Sequence, residues 1–547
     1  MSEMIIPQVT TRRKVFGLLT TVLIAVLLIG GVLFLGKDPH IPLLMAAVIG
    51  CVLAFIDGTK WEQLEAAIIR SIAIAMQAII ILLIIGTLIA AWLMGGVIQS
   101  LIYYGLEVMN PKLFLVCALL LCSIVSLATG TSWGTAGTIG IVLMAIAGAL
   151  QIPLPIAAGA IVSGCYFGDK MSPLSDTTNL AVAVTGANLF DHIKSMTYTT
   201  VPTYIICLIV YSVIGLTVVK SNGASLDDIT KLQEILSASY NINLFALIPP
   251  CMVLLIIVVK MPAIPGLFLC MFLGIVAAYL FQGYNLFSSA SLGETVSVIQ
   301  NGYSFDGSTL KVSPEQLSAV HDFYAQAALV NDGVWYPEMN YFTGPMTDNV
   351  SSLSSLYNTA FTDKLPFTPD TLMQTKNLLS RGGLDSMMGT ISLILIAMIL
   401  GGVLEGSGFL GSLVAMLLPF THKAWSITLV SILTGIAVNA LASDQYVAVI
   451  LPGQMYRERF KELNLAPRTQ SRIVETGGAL TSSLVPWNTC GATMTSFLGV
   501  NSFAYAPFAF FNTISLVVEL IASALGYKIF KRDEDIKNGL VKEETTV

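Results

Sequence analysis

Charge is scarce in this chain. Only 11% of its 547 residues are Asp, Glu, Lys or Arg, 55% are hydrophobic, and the mean hydropathy is +0.79. Soluble domains carry roughly 25% charged residues, so a soluble globular fold is excluded. A basic surplus is also missing: 27 Lys and Arg stand against 33 Asp and Glu. No nucleic-acid footprint follows from that balance. Histidine is rare and scattered (His40, His192, His321, His422), which argues against a His-based metal site. The eight cysteines all fall in apolar segments, none in the large hydrophilic loops, and no CxxC occurs. A disulfide framework and a zinc site are therefore not expected. Walker A, nucleophile-elbow and His/Cys/Glu metal spacings are absent too, so no enzymic activity and no cofactor are expected.

What is present is long apolar sequence. Arg12, Arg13 and Lys14 precede an apolar run from Val15 to Leu35. This run is too long for a signal-peptide core, so it reads as a retained first helix. Further apolar segments fall near 41–56, 66–98, 113–129, 135–150, 154–167 with 180–190, and 196–219. After a polar stretch they resume near 243–259, 264–282, 387–405, 425–442, 445–455, 473–485 with 491–500, and 503–527. Many approach the ~20 residues that span a bilayer. The fold class is an all-α polytopic membrane protein.

The two sets match in kind. "LMGGVIQS" (93–100) pairs with "ILGGVLEG" (399–406), "TGTSWGT" (129–135) with "NALASDQY" (439–446), and "MSPLSDTTN" (171–179) with "LVPWNTCG" (484–491). Seven units per repeat is odd, so the second repeat is inverted relative to the first. Inverted repeats with broken helices characterise secondary transporters, whose sites lie at the repeat interface. Segments 113–150 and 425–455 read either as two crossings or as re-entrant hairpins. The division is a first repeat at 1–220, a linker at 221–242, a second repeat at 243–527 and a tail at 528–547. Basic residues in the N-terminal "RRK", the 457–472 loop and the tail place all three in the cytoplasm. An insert at 283–386, poor in Lys and Arg, then lies outside as a small lobe. Its aromatics are Tyr303, Phe305, Tyr324, Trp335, Tyr336, Tyr341 and Phe342. Ser313-Pro314-Glu315-Gln316 predicts a capped helix to about Leu329, and Thr368-Pro369 opens another that Gly382-Gly383 stops.

Charge does intrude at "GDKMSPLSDTTNLA" (168–181). The flanking runs Leu154–Phe167 and Leu180–Phe190 are 14 and 11 residues long, too short to span ~30 Å at 1.5 Å per residue unless joined. The polar stretch is then a break near the membrane midplane. A charge there costs ~2.5–3.5 kcal/mol unless it is paired or working. Asp176 is the leading cation- and proton-exchanging carboxylate and Asp169 the second. Ser172, Ser175, Thr178 and Asn179 supply oxygens, with Na⁺ placed at Asp176, Ser175 and Asn179. The plainer alternative is that Ser175 or Asp176 only caps a half-helix. Thr129 and Ser132 add hydroxyls, with close packing at Gly130 and Gly134 as the alternative. Asp444, Asn439, Asn488 and Thr489 are the second-repeat counterparts, and Lys170 is a charge partner. Glu405 and Glu475 rank behind.

"TGTSWGTAGTIG" (129–140), "GDKMSPLSDTTNLA", "NLFDHIKSMTYTTVP" (188–202) and "VPWNTCGATMTSFLGV" (485–500) resemble the NhaC family of Na⁺/H⁺ antiporters, in the ion transporter superfamily. The resemblance spans about 15–282 and 387–527 and does not include the insert. Ser195 stands where the family often has histidine. The resemblance implies secondary exchange of Na⁺ against H⁺, with Na⁺ and H⁺ as cargo, in the cell membrane. It also implies a moving transport domain and, commonly, a homodimer in lipid. Some members exchange carboxylates, so a Na⁺- or H⁺-coupled organic anion or amino acid transporter is the alternative.

Overall fold

A computed structural model describes residues 11–28, 30–31, 39–222, 226–259, 261–285, 287–330, 367 and 369–540. The insert aromatics Trp335, Tyr336, Tyr341 and Phe342 lie outside the described residues. Every described element is helical, apart from two isolated bridges, Tyr303 to Arg381 and Leu465 to Lys531. Among the described residues, eight helices are long and apolar enough to cross a membrane, or up to ten if each of two bent pairs is one span.

One order of elements occurs twice. A long helix (Trp61–Met94) leads into a short one (Val97–Val108), then into a hairpin (Phe114–Thr129 and Ser132–Ala149). A broken helix (Leu154–Met171 and Asp176–Thr185) and a long helix (Leu189–Asn222) follow. Later come Met388–Gly406, Phe409–Leu417, the hairpin Ala424–Leu441 and Gln445–Met455, and the broken Pro467–Ser482 and Thr489–Leu498. The second series ends in Phe510–Ala524, bent by 55° from Ser502–Phe508. A helix pair precedes each series: Thr11–Leu28 with His40–Asp57, and Ile248–Val258 with Ala263–Phe281.

Backbone conformation fixes the register between the copies. Gly96 and Gly408 open the short helices at φ 72°. Gly130 (φ 69°) and Ser443 (φ 59°) turn the hairpins, and Gly186 (φ 73°) and Gly499 (φ 68°) end the half-helices. Gly96 thus corresponds to Gly408, not to Gly402 as the "GG" match expects. Gly401 and Gly402 do a different job: a Cβ at either would meet Ala442 or Ile68 backbone at 2.5 Å, so they allow helices to touch.

Equivalent helices run antiparallel. Along Trp61–Met94 and Met388–Gly406, Gly86 meets Met387, Ser71 meets Met398 and Ile68 meets Gly402. Along Leu189–Asn222, Tyr211 packs on Phe510, whereas Tyr198 packs on Phe530 beyond the end of the partner helix. The repeats are therefore inverted. Both hairpin tips turn into the protein against the breaks: a Cβ at Gly130 would lie 2.6 Å from Leu174, and Thr489 N–H donates to Ser443 at 3.0 Å. Irregular backbone at such depth is tolerated where protein surrounds it.

Two sequence expectations change. The basic loop ends at Ala466, not at 472: Pro467–Ser482 is one helix, buried from Thr469 to Ser482 although it is polar. The polar stretch at 221–242 contains a helix, Leu226–Ser239, which buries Leu232, Ile235 and Leu236. The insert forms the capped helix Pro314–Val330, with Ser313 N–H on Gln316 Oε1 at 3.2 Å and Gln316 N–H on Ser313 Oγ at 3.3 Å. It is docked, not free-standing: Lys311 N–H bonds Ala238 at 3.1 Å and Gln374 bonds Gly148 at 3.1 Å.

Candidate functional site

Two breaks and two hairpin tips converge. Helix Leu154–Met171 stops at the chain Ser172–Ser175, and Ser175 caps the next half-helix, its hydroxyl 3.4 Å from Thr178 N. In the second repeat Asn488 does the same for Cys490 N–H at 3.0 Å. Small residues let the layers close. A Cβ on Gly168 would lie 2.5 Å from Leu127 N, and one on Gly164 would lie 2.5 Å from Leu119 O. The last turn of the first half-helix is thus pressed onto the first hairpin.

That contact brings the expected groups together in part. The Asp169 carboxylate, 7% accessible, faces the Ser132 hydroxyl and amide from the hairpin tip and the Ser175 hydroxyl from the break. Asp176 is the first residue of its half-helix and is exposed. Asn179 is exposed too and ties the break, donating to the carbonyls of Pro173 at 3.0 Å and Ser175 at 2.8 Å. Ser172 caps the turn, its Oγ 3.2 Å from Leu174 N. Thr129 lies 3.2 Å from the Ser126 carbonyl, within its own turn. Thr178 is drawn to the other side of the break, 3.1 Å from Lys170 O and 3.0 Å from Glu475 Oε1.

The second-repeat counterparts divide the same way. Asp444 caps its helix, accepting from Tyr446 N at 2.8 Å and Val447 N at 3.0 Å. Asn439 and Asn488 hold each other at 3.0 Å, and Asn439 also reaches Gly478 O at 2.6 Å. Their amides staple tip to break. One residue gathers what the sequence leaves apart: the Tyr446 hydroxyl is within electrostatic reach of the carboxylates of Asp176, Asp444 and Asp169.

A second, fully buried charge cluster lies beside the first break. Lys170 Nζ donates to Thr476 Oγ1 at 2.8 Å, next to Glu475. Glu475 Oε2 is 2.8 Å from His192 Nε2, and His192 Nδ1 is 2.7 Å from Ser471 Oγ. One turn away, Arg472 meets Glu519 at 2.9 Å and Ser195 Oγ at 3.2 Å, with Arg472 and Glu519 both 0% exposed. Sequence reasoning names Lys170 as a pair partner but assigns Arg472 to a loop, ranks Glu475 low and gives His192 and Glu519 no role. The available signal is "RIVET": Arg472, Glu475 and Thr476 recur at three- and four-residue spacing, one face of a helix. Glu405 is peripheral, 3.9 Å from Arg70 and partly exposed.

Inverted repeats, hairpin turns packed on broken helices and an acidic first break together define a membrane-embedded secondary transporter. The chain belongs to the Na⁺/H⁺ antiporter family, whose profile matches residues 164–307 and 343–527. It is 32% identical over 517 residues to the Na⁺/H⁺ antiporter NhaC of Alkalihalophilus pseudofirmus, covering 94% of this chain and 96% of that one. It is 31% identical over 511 residues to the malate-2H⁺/Na⁺-lactate antiporter of Bacillus subtilis, covering 93% of each. It is 32% identical over 509 residues to the arginine/ornithine antiporter ArcD of Halobacterium salinarum, covering 92% of this chain and 90% of that one. The profile also takes in 283–307 and 343–386, so the family likeness continues into both flanks of the insert and omits only its middle.

Proposed function

We propose that the chain exchanges Na⁺ for H⁺ through Asp169 and Asp176, with Asp444 as the facing carboxylate of the second repeat. One observation carries this reading: Asp169 and Asp176 at the first break and Asp444 at the second hairpin tip all lie within electrostatic reach of the Tyr446 hydroxyl. Asp169, with the oxygens of Ser132 and Ser175, is the enclosed seat for a hard cation, and Asp176 is the accessible entrance. The same carboxylates take either Na⁺ or H⁺, which makes the two competitors and couples their movement. Lys170 is engaged by Thr476 beside Glu475, so it is not offered to a substrate carboxylate. That favours cation exchange over organic anion exchange. The test is reconstitution: an imposed Na⁺ gradient drives opposite proton flux in proteoliposomes, and added malate, lactate or arginine leaves it unchanged. Flux that requires one of these solutes overturns the reading.

The cytoplasmic placement of both termini is part of the same proposal. Its ground is the basic residues near both ends of the chain and in the 457–468 segment, where Arg13 pairs with Asp57, Arg459 bonds the Thr421 carbonyl, Arg468 pairs with Asp535 and Lys528 lies over Tyr198. A cysteine at exposed Ser308 therefore reacts with an impermeant thiol reagent added outside intact cells. Labelling only after the cells are broken reverses the orientation.

A further inference from the structure

We propose that a basic cavity where the first broken helix meets the 457–468 segment binds a phosphate ester, carried by the headgroup of an anionic phospholipid. The site shares no residue with the exchange carboxylates. The cavity has a volume of about 380 Å³, within the usual range for a small-molecule site. Three cations line it, Arg457, Lys461 and Arg532, and no Asp or Glu does. Arg457 reaches over the turn at Gly186: its Nη2 lies 3.3 Å from where a Cβ on that glycine would stand. Among the described residues this guanidinium has no hydrogen-bond or ion-pair partner. A guanidinium offers a planar fork of N–H donors that matches a phosphate bidentately. Lys461 is shared with Glu458 at 3.0 Å, so Arg457 is the leading contact. Asn188, also in the lining, accepts from Phe190 N–H at 3.0 Å through Oδ1, which leaves its Nδ2 donors for an acceptor.

The cavity's place in the fold selects a lipid as the source. The turn at 186–188 joins half-helix Asp176–Thr185 to Leu189–Asn222, whose Leu189–Thr217 part is long and apolar enough to span the membrane. The first turn of that span therefore sits at a membrane surface. Phe190 in this turn is 74% exposed, and Tyr527, just beyond Phe510–Ala524, is 52% exposed. Aromatic side chains at the ends of spans belong to the headgroup layer, where basic pockets between helices meet anionic lipids. Phe460 and the exposed Leu540 add an apolar wall beside the cations. A phosphodiester seated on Arg457 places charge beside charge, and its acyl chains continue along apolar surface. A soluble phosphate ester satisfies the cations but leaves Phe190 and Leu540 in water. The bound headgroup joins the turn of the first repeat to Arg457–Glu462 of the second and to Arg532 at the start of Arg532–Lys537. Binding thus resists separation of these parts and is read as stability.

The experiment titrates the full chain in neutral detergent with phosphatidylglycerol, phosphatidylcholine, glycerol 3-phosphate or inorganic phosphate, followed by thermal melts and native mass spectrometry. Phosphatidylglycerol raises the melting temperature by several degrees and binds, whereas phosphatidylcholine does neither. Arg457 is exposed and holds no other group, so Arg457→Gln folds. It weakens phosphatidylglycerol binding about fivefold, and Arg457→Gln with Arg532→Gln weakens it about 25-fold, the usual share of each basic residue at an anionic membrane surface. Lys60→Gln, which removes an exposed cation outside the cavity, leaves binding unchanged. The same Arg457-dependent shift with glycerol 3-phosphate or inorganic phosphate supports the site and assigns its phosphate to a soluble source. Equal stabilisation by phosphatidylglycerol and phosphatidylcholine overturns the proposal, and so does a phosphatidylglycerol effect that Arg457→Gln leaves intact. A further readout needs no variant: in wild-type protein reconstituted in phosphatidylcholine vesicles, phosphatidylglycerol with a photoreactive headgroup labels 185–190 or 457–461. Labelling confined to other segments also overturns it.

Discussion

Asp169→Asn and Asp176→Asn each reduce Na⁺-driven proton flux to the level of empty vesicles, while both proteins still fold. Asparagine keeps the size and a hydrogen-bonding oxygen, so the cap and break survive. It removes the negative charge that must alternate between Na⁺ and H⁺. The two variants then part company. Asp169 faces Ser132 and Ser175 and is closed off, so its replacement weakens equilibrium Na⁺ binding by two orders of magnitude or more, about 3 kcal/mol. Asp176 is exposed at the half-helix start, so its replacement weakens binding by about tenfold and removes most of the pH dependence of Na⁺ affinity. Isothermal titration across pH 6–9, beside flux, separates the two. A folded Asp176→Asn protein with undiminished coupled exchange reduces that residue to a favourable charge in the first turn of the half-helix. The same result for Asp169 removes the seat.

Breaking the Arg472–Glu519 pair is expected to be the most damaging structural change. Both side chains are fully buried and meet at 2.9 Å, so removing one partner strands the other. The usual cost is about 3–5 kcal/mol. Glu519→Leu and Arg472→Met singly therefore lose most of the folded protein in fluorescence-detected size exclusion and thermal melts. The double replacement recovers a large part, because no charge is then left unpaired. Failure of the double variant to exceed either single assigns the pair a role beyond mutual compensation. Among the described residues Glu519 Oε2 has no hydrogen-bond partner, so the pair is not fully satisfied, and the apolar double replacement also removes that cost.

Apolar length and repetition made the architecture legible: span units, breaks, the inverted relation and the capped insert helix Pro314–Val330 follow from hydropathy, proline and glycine, whereas the expected cap at Thr368 lies outside the described residues. What stayed hidden has two physical sources. Pro467–Ser482 is buried but polar, so hydropathy assigns its first turns to a loop. Only packing against Leu189–Asn222 and Phe510–Ala524 reveals that Arg472 and Glu475 are inside. The "GG" match at 401–402 misleads because glycine serves two purposes, tight turning at Gly408 and close helix contact at Gly402. The pairs His192–Glu475 and Arg472–Glu519 are separated by 283 and 47 residues, and no local pattern connects such partners. Asp176 and Asp169 were legible because charge in a short apolar-flanked break is costly on its own.

The antiparallel equivalence of the repeats gives any difference between them a direction. Half a turn about an in-plane axis carries one copy onto the other and exchanges the two faces of the bilayer. The first residues of the two half-helices, Asp176 and Thr489, occupy the same station, yet one is exposed and the other is 1% accessible. The chain thus holds two environments for one position, open in one copy and closed in the other.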